Sequence, residues 1–493
     1  MELKMYLNYT QKEQAYLFIL EIITNEKTNS IKLDIISKLL RSKIIYGNKY
    51  FSSEKLEYIL INNSNTLQTK IPTKYQKNNI LHILTYSYSN GGHTRIIERW
   101  VEHDKNSKIH SILLTEQQKI QINPELHNII KKQNGNIFSI SNIKDIQKKA
   151  LLLRRIASRY EIIILHIHNY DITPLLAFGT LDFKRPIFFY NHSDHLFWIG
   201  ASIADLILEI RTYGIKISDM YRGTNKSYLL GIPIGKNIKH LNYNKQAIKH
   251  KLSIPLNKKI ILSVASSYKF TPTKDINFIK LVEQVININS EILFIIIGAD
   301  IKKLNWSKTV RKSCNRIITI PKIPHNQLLD YISITDLYID SAPLGGGVAV
   351  IDMIYSNIPI LSLKSIIPNF DYLLNSEALC NDLNELLQKT NLILYNKNFR
   401  KKHIKETYNL LNQFTNRRLW NSKIKGIYNI AQNMEHNIYS IYSKKYNDAN
   451  LNNFLCILHK AYLLDIIKII GIKRFLKYLF KKIKLSNRNA TKS

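Results

Sequence analysis

Short apolar runs, each followed by a helical stretch, recur in two sets along the chain. Runs that are apolar on both faces and alternate with helices are typical of parallel sheets that helices cover on both sides. The first set comprises residues 80–88, 162–169, 186–192 and 205–211, and the second comprises residues 259–267, 291–299, 316–321, 336–343 and 358–363. We therefore predict an α/β chain with two Rossmann-like domains in tandem, joined near residues 231–237.

Helical segments flank the two predicted sheets. Three apolar runs at helical spacing indicate a helical N-terminal region over residues 1–75. The first α/β domain is predicted at residues 76–235, the second at 236–430, and C-terminal helices at 431–493. Over residues 461–485, apolar positions recur at helical spacing with lysines and arginines between them, which predicts a basic amphipathic helix. Such a helix suits an anionic membrane surface; the alternative is a helix that packs on the protein.

The chain carries 71 lysines and arginines against 36 acidic residues, a formal net charge of +35. A charge of this size favours anionic partners, although a lysine-rich composition by itself also gives a solvated basic surface. The sequence contains no recognisable motif for DNA or RNA, so we expect no nucleic-acid partner. Phosphorylated small molecules and an acidic bilayer are the partners that this charge leaves open.

The cysteines and the N-terminus bear on the cellular compartment. Cys314, Cys380 and Cys456 lie far apart and match neither a metal spacing nor a disulfide framework, so we expect buried thiols in a reducing compartment. The N-terminus does not read as a secretory signal, and no apolar run approaches the ~18–20 residues of a spanning helix. We expect a cytoplasmic protein, peripheral at the inner face of the cell membrane if the 461–485 helix binds lipid.

Three adjacent glycines stand out in a chain with only 16. Gly345, Gly346 and Gly347 lie between the apolar run 336–343 and a helical stretch that starts at Val348. Ligands of parallel α/β sheets bind beyond the carboxyl ends of the strands, where this turn falls. Peptide N–H groups at a helix start bind anions, and glycine lets a phosphate oxygen approach the backbone. The stretch predicts a phosphate site; the alternative is a tight turn that needs glycine only for its geometry.

A histidine follows the first run of the first set. His93 lies beside Gly91 and Gly92, which leave room for a substrate to approach. Histidine is suited to act as a general base near neutral pH. We predict that His93 is such a base; the alternative is a residue that caps a helix or binds phosphate.

The segment DLYIDSAPLGGGVAVIDMIYSNIPIL, residues 336–361, is similar to the donor-binding segment of GT-B glycosyltransferases. It most resembles the inverting family 41, which contains O-GlcNAc transferase and the bacterial cytoplasmic N-glycosyltransferases. Residues 263–275 resemble the family's loop whose lysine neutralises the nucleotide diphosphate, and Lys269 stands at that position. Residues 88–95 resemble the family's Gly/His turn, which implies that His93 lies in the active site.

The resemblance implies a hexosyltransferase with two domains that face a cleft, the first on the acceptor side and the second binding the nucleotide sugar. It implies a UDP-linked donor and a glycan, lipid-linked or protein acceptor. It also implies that the enzyme needs no metal or other cofactor. In the donor site, Asp352 falls within reach of a ribose hydroxyl and His325 where the nucleotide base would rest. Helix-dipole complementarity for Asp352 and a surface position for His325 are the alternatives.

A second polar cluster on the acceptor side is predicted to line the sugar cleft. His192, Asp194 and His195 close the run 186–192, and Trp198 offers a flat surface to a sugar. No third ligand lies nearby, so we assign no metal to this cluster. By contrast, we expect His166 to be buried with its hydrogen bonds satisfied.

The chain departs from the family's pattern at two points. Retaining GT-B enzymes usually carry a glutamate where this chain has Leu344, so inversion is expected. The family's His-Thr-Thr after the glycine turn is replaced by Gly347, Val348 and Ala349, which leaves more of the phosphate binding to Lys269. The alternative function is a non-catalytic GT-B partner subunit that binds glycan or stabilises another transferase.

Overall fold

The structure, a computed structural model, describes residues 6–72, 74–88, 91–104, 107–235, 244–299 and 306–476. Its N-terminal region is helical, as predicted. The helices are α1 (Tyr9–Asn25), α2 (Asn29–Arg41) and α3 (Glu54–Asn65). The carboxylate of Glu57 in α3 accepts hydrogen bonds from the backbone N–H groups of Gly200 and Ser202, at 2.9 and 2.7 Å, which ties this region to the first α/β domain.

The first α/β domain contains a parallel sheet of seven strands. The strands are β1 (Gln76–Leu84), β2 (Ile109–Leu114), β3 (Ile137–Ser139), β4 (Tyr160–His166), β5 (Ile187–Asn191), β6 (Leu206–Glu209) and β7 (Ser227–Leu229). Their order across the sheet is β3-β2-β1-β4-β5-β6-β7. The connecting helices are α4 (Gly92–Asp104), α5 (Pro124–Lys132), α6 (Ile146–Ala157), α7 (Thr173–Phe178) and α8 (Thr212–Tyr221).

The second α/β domain contains a parallel sheet of six strands in the order β10-β9-β8-β11-β12-β13. The strands are β8 (Lys259–Val264), β9 (Ile292–Ile297), β10 (Ile317–Ile320), β11 (Leu337–Ile339), β12 (Ile360–Leu363) and β13 (Leu379–Cys380). The helices are α9 (Lys245–Lys251), α10 (Phe278–Ile286), α11 (Trp306–Lys312), α12 (His325–Ile334), α13 (Val348–Tyr355), α14 (Leu383–Tyr395) and α15 (Lys397–Phe414). The predicted pair of Rossmann-like domains is confirmed.

Successive residues of the central strands enter different cores. In β8, Ile260 and Leu262 belong to one buried cluster, while Ile261 belongs to the cluster on the opposite face. Side chains alternate across a strand, so a run that is apolar at every position buries both faces. This is the physical reason that the continuous apolar runs of the sequence form sheets enclosed by helices.

The C-terminal part of the chain returns to the first domain. Helix α16 (Arg417–Gln432) packs its Trp420 edge-on against Trp100 of α4, with ring centroids 5.8 Å apart. Tyr428, also in α16, donates a hydrogen bond to Asp104 at the end of α4. The predicted second domain, residues 236–430, thus includes most of a helix whose apolar face is buried against α4 of the first domain.

The last described helices, α17 (Ala449–Leu458) and α18 (Leu463–Ile470), pack on the N-terminal region. Ile466, Ile469 and Ile470 of α18 are buried in the same cluster as α2. The prediction that this apolar face meets a membrane is therefore wrong for residues 463–470, because protein covers the face. Residues 477–493, including most of the lysines of the predicted amphipathic helix, lie outside the described residues.

Two further sequence expectations concern the thiols and the membrane. Cys380 and Cys456 are buried as expected, whereas Cys314 is exposed because it lies in the turn after α11. Of the helices that the structure describes, none combines the length and the apolar character needed to cross a bilayer.

We predict that Ile466→Ala lowers the free energy of unfolding by about 2–5 kcal/mol, because the substitution opens a cavity in a packed core. Leu464→Ala, two residues away on the same helix, is the matched control: Leu464 is 45% exposed and Ile466 is 0% exposed. The midpoint of urea unfolding measures both changes. Equal, small shifts, with loss of binding to anionic vesicles in Ile466→Ala, would instead favour a membrane role for this face.

Candidate active site

The glycine turn lies at the carboxyl end of β11 and is organised by a buried acid. Asp340 accepts hydrogen bonds from the N–H of Gly346, at 2.9 and 3.0 Å to its two oxygens, and from the N–H of Ser341 at 2.8 Å. A side-chain carbon at Gly345 would lie 2.8 Å from the Asp340 carboxylate, and one at Gly347 would lie 2.6 Å from the ring of Phe370. The turn therefore needs glycine for packing at these two positions.

The same turn still presents donors for an anion. The N–H of Gly346 is already bonded to Asp340, which removes it from the predicted phosphate contacts. The N–H groups of Val348 and Ala349 belong to the first turn of α13, where the helix itself offers them no acceptor. Burial raises the pKa of Asp340 to about 7, against the hydrogen bond from Gly346 and the charge of Lys269.

Lys269 reaches the glycine turn from the neighbouring strand. It lies in a short 3₁₀ turn, Ser267–Phe270, that follows β8, and its Nζ donates a hydrogen bond to the carbonyl of Gly345 at 2.8 Å. The two features that the sequence assigned to the donor phosphates therefore meet at one place. An ammonium beside the start of a helix is a favourable environment for a diphosphate.

The Gly/His turn of the first domain faces this site across the cleft. Gly91 has φ 147°, a conformation that favours glycine, and α4 starts at Gly92. A side-chain carbon at Gly92 would lie 2.9 Å from Cγ2 of Val348. The starts of α4 and α13 thus touch, which places His93, the residue after Gly92, close to the glycine turn.

His93 packs edge-on against His192, with ring centroids 3.8 Å apart and an angle of 64° between the ring planes. Its Nδ1 is buried and has no hydrogen-bond partner within the described part of the chain. Burial, with a smaller contribution from His168, lowers the pKa of His93 to about 3. Burial likewise holds the pKa of His192 well below its usual value. Both imidazoles are therefore neutral at pH 7 in the absence of a ligand.

Behind His192 lies a row of hydrogen-bonded histidines that the sequence analysis did not identify as a unit. We call His192, His166, His82 and His110 the histidine row. Successive ring nitrogens are 2.9, 3.0 and 2.8 Å apart, and Nε2 of His110 lies 3.1 Å from the carboxylate of Asp104. The expectation that His166 is buried and satisfied is confirmed, since both its ring nitrogens are bonded.

The structure corrects two predictions for the loop after β5. Trp198 is 1% exposed and stacks on Phe189 with ring centroids 4.3 Å apart, so it is a core residue and not a platform for a sugar. Asp194 is buried and bound by Arg211 at 2.5 and 2.8 Å, so it supports the loop and does not line a cleft. Burial alone would raise the pKa of Asp194, but Arg211 and His195 outweigh it and hold the pKa well below its usual range.

His195, in the same loop, is only partly buried. Its Nδ1 lies 3.1 Å from the carboxylate of Asp194. Burial is the largest influence on its lowered pKa, and the charge of Lys269 contributes in the same direction. His195 therefore lies on the first domain within electrostatic reach of the lysine predicted to bind phosphate.

Asp352 does not present a free carboxylate for a ribose hydroxyl. Both of its oxygens accept hydrogen bonds from one Arg99 nitrogen of α4, at 2.6 and 2.7 Å, and Arg99 also donates to the carbonyl of Pro233 at 3.1 Å. The side chains of Arg99 and Asp352 are only 7% and 11% exposed. The prediction of a ribose contact is therefore corrected: Asp352 forms an ion pair between the two domains. His325, at the start of α12, lies near this pair, and burial followed by Arg95 lowers its pKa.

An aromatic edge next to His93 was also missed by the sequence analysis. Tyr88 and Nε2 of His168 are hydrogen-bonded at 3.0 Å, and the ring of Tyr86 stacks near that of Tyr88 at 6.1 Å. Tyr170 lies under the guanidinium of Arg41, 4.2 Å from the ring centroid. Tyr86 and Tyr88 at the end of the run 80–88 and Tyr170 just after the run 162–169 were a visible signal, but only the fold brings them together.

Within the described ranges, no group of three or more histidine, cysteine, aspartate or glutamate side chains is arranged to hold a metal ion.

No protein-family model matches the sequence, and no curated protein matches it either. Solved structures do share its fold. A glycosyltransferase from Rickettsia africae is 15% identical, covers 73% of this chain and 99% of its own, and superposes with a TM-score of 0.55. Anabaena HepE in complex with UDP-glucose is 11% identical, covers 71% of this chain and 99% of its own, and has a TM-score of 0.56.

An O-GlcNAc transferase mutant from Thermobaculum terrenum is 8% identical, covers 86% of this chain and 84% of its own, and has a TM-score of 0.50. These likenesses show the GT-B fold for this chain. Membership of family 41 within that fold stays a prediction.

We predict that Asp352→Ala destabilises the protein by about 3–5 kcal/mol, because it leaves the charge of Arg99 buried without a partner. The double variant Arg99→Ala/Asp352→Ala should be more stable than Asp352→Ala alone. Asp371→Ala is the control, since Asp371 makes an exposed contact between the domains, to the N–H of Thr212 at 2.9 Å. Melting temperatures measure all three. An unchanged melting temperature with weaker nucleotide binding in Asp352→Ala would restore the ribose role.

Proposed function

We propose that the protein transfers a sugar from a nucleotide diphosphate donor to an acceptor on a glycan, lipid-linked carrier or protein, with inversion at the anomeric carbon. One observation supports this proposal: the carboxyl-end edges of the two sheets face each other. Lys269 and the glycine turn therefore lie across the cleft from His93 and His192. Such a transfer needs positive charge that stabilises the leaving diphosphate. It also needs a neutral imidazole that takes the proton from the attacking group.

The donor diphosphate is assigned to the second domain. Lys269 supplies the cation, and the N–H groups of Val348 and Ala349 supply donors at the start of α13. UDP is the first nucleotide to test, because HepE, which shares the fold, was solved with UDP-glucose. These groups supply the positive charge that a leaving diphosphate needs, so we propose that transfer requires no metal ion.

The reaction is a single displacement. The acceptor oxygen forms a bond to the anomeric carbon as the bond from that carbon to the phosphate oxygen breaks, and the electron pair leaves with the diphosphate beside Lys269. The acceptor proton passes to the imidazoles on the opposite side. Burial keeps these imidazoles neutral before the donor binds, and the negative charge of the bound diphosphate raises their pKa values toward the working range.

The direct test is incubation with a panel of UDP-, GDP-, CDP- and TDP-sugars, with and without a chelator, followed by detection of the released nucleotide and of the product. NMR of the product gives the anomeric configuration, and a retained configuration would contradict the mechanism. UDP at 100 times its Kd should also stabilise the fold by about 2.7 kcal/mol. Stabilisation by UDP without turnover would favour the non-catalytic partner subunit.

We predict that Lys269→Ala weakens UDP binding by about 10–100-fold, since a charge-assisted contact to phosphate contributes about 1.5–3 kcal/mol. Lys269→Arg should retain part of the affinity because it keeps the charge. Lys274→Ala is the control, as Lys274 is an exposed lysine in the same loop. Titration calorimetry measures the three affinities, and equal Kd values for Lys269→Ala and Lys274→Ala would assign the phosphates to another group.

A further inference from the structure

The histidine row crosses four neighbouring parallel strands in the middle of the first sheet, β2, β1, β4 and β5. His110 lies at the start of β2, His82 within β1, His166 at the end of β4 and His192 just after β5. His82, His110 and His166 are all 0% exposed. The row therefore connects the cleft, where His192 packs on His93, with Asp104 at the opposite end.

The strand register explains why these side chains meet. Ile80 pairs with His110, so His110 lies two residues before the position opposite His82. Leu84 pairs with His166, so His166 lies two residues beyond the position opposite His82. A step of two residues keeps a side chain on the same face of a sheet. The constant offset of two residues per strand places all the rings on one face of the sheet. The row therefore runs diagonally across that face.

The groups around Asp104 determine which nitrogen donates in each hydrogen bond of the histidine row. The indole N–H of Trp100, which can only donate, binds the hydroxyl oxygen of Tyr428 at 3.0 Å, so the hydroxyl hydrogen of Tyr428 goes to Asp104. Ser107 also donates to Asp104 through its hydroxyl. With these donors around it, Asp104 is a carboxylate acceptor, and Nε2 of His110 carries the hydrogen of their 3.1 Å contact.

A neutral imidazole has one N–H and one acceptor nitrogen, so each member of the row fixes the next. If Nε2 of His110 donates, its Nδ1 accepts from Nε2 of His82, whose Nδ1 accepts from Nε2 of His166. Nδ1 of His166 in turn accepts from Nε2 of His192. All four histidines are then Nε2–H tautomers, and Nδ1 of His192 is left as the acceptor at the cleft.

We propose that the histidine row relays the acceptor's proton from the cleft to Asp104 during sugar transfer, which rests on the function proposed above. Nδ1 of His192 takes the proton as the acceptor oxygen bonds to the anomeric carbon. The Nε2 proton of His192 moves to Nδ1 of His166, and two further transfers of the same kind reach His110. The Nε2 proton of His110 then passes to the Asp104 carboxylate, so the row stays neutral and Asp104 becomes a carboxylic acid.

Once the product and the nucleotide have left, the same transfers in reverse return the proton to water at His192 and restore the starting tautomers. The relay has a physical advantage, because it moves the positive charge of the proton away from His192. An imidazolium held at His192 would be a buried charge next to His93 and His166, which is costly. Passing the charge along the row neutralises it on Asp104. His166, His82 and His110 act in this proposal as positioning residues, since His192 is the only member of the row that contacts the substrate.

The first experiment reads the tautomers in the full-length protein without any substrate. Nitrogen-15 NMR of histidine-labelled protein at pH 7 distinguishes Nδ1–H, Nε2–H and doubly protonated rings, and single histidine variants assign the signals. All four members should be Nε2–H. His403 is an internal reference for that tautomer, because its Nε2 donates to the carbonyl of Ile360 at 2.8 Å. An Nδ1–H or doubly protonated ring in the row would overturn the proposal.

The second experiment interrupts the row away from the cleft. Asp104→Asn keeps an oxygen for His110 but accepts no proton, and His82→Phe keeps a ring of similar size without nitrogens. His403→Phe is the matched control, as His403 is a buried histidine in the second domain. Both row variants should lower kcat by about 10-fold or more with the KM for the nucleotide sugar unchanged, and both should change the dependence of kcat on the fraction of heavy water. His403→Phe should do neither.

The outcomes separate the two proposals. Row variants that match His403→Phe in kcat and in the heavy-water dependence would overturn the relay while the sugar transfer stands. An absence of turnover with every nucleotide sugar, in a wild-type protein whose row has the expected tautomers, would overturn the proposed function and the relay's role in it. His82→Phe could also lower the melting temperature, so Asp104→Asn, which changes no volume, decides between a structural and a relay effect.

Discussion

Parallel strands place every strand-to-helix loop of a sheet at one edge, and both sheets of this chain turn that edge toward the other domain. The consequence is visible where Gly92 meets Val348 and where Lys269 binds the carbonyl of Gly345. In the proposed function, neither domain holds a complete site by itself. The second supplies positive charge and helix-start N–H groups, and the first supplies neutral imidazoles. A reaction that uses both the positive charge and the imidazoles requires the carboxyl-end edges of the two sheets to stay face to face.

Several buried polar contacts hold the edges in that position. The ion pair of Arg99 with Asp352, in which one guanidinium nitrogen contacts both carboxylate oxygens, joins α4 to α13 behind the two helix starts. Arg211 joins the loop after β6 to the carbonyl of Pro368. Helix α16 adds an apolar contact through Trp420 and Trp100. A buried charge without its partner is costly, so such pairs favour one arrangement of the domains over its neighbours. The glycine turn is fixed in the same way, by Asp340 inside the second domain.

The cleft combines a strongly basic chain with imidazoles that burial keeps neutral. The formal net charge of +35 suits an anionic donor, yet His93 and His192 contribute nothing to it at pH 7. In the proposed function, a diphosphate bound beside these neutral imidazoles raises their affinity for a proton, because the opposite charge favours the protonated form. Behind His192, both ring nitrogens of His166, His82 and His110 are hydrogen-bonded, and the last partner in the row is the carboxylate of Asp104.

The sequence by itself determined the two α/β domains, the helical N-terminal region, and the placement of Lys269 and the glycine turn at strand ends. These follow from local periodicity and from the rule that ligands lie beyond the carboxyl ends of parallel strands. Short strands such as β3 and β13 were missed, because three or two residues carry no periodicity. The tertiary structure alone decided the partners of side chains: Asp352 with Arg99, Trp198 with Phe189, α18 with α2, and His82 with His110 and His166. Most of those contacts join residues distant in sequence, and the strand register and domain packing that create them leave no trace in local composition.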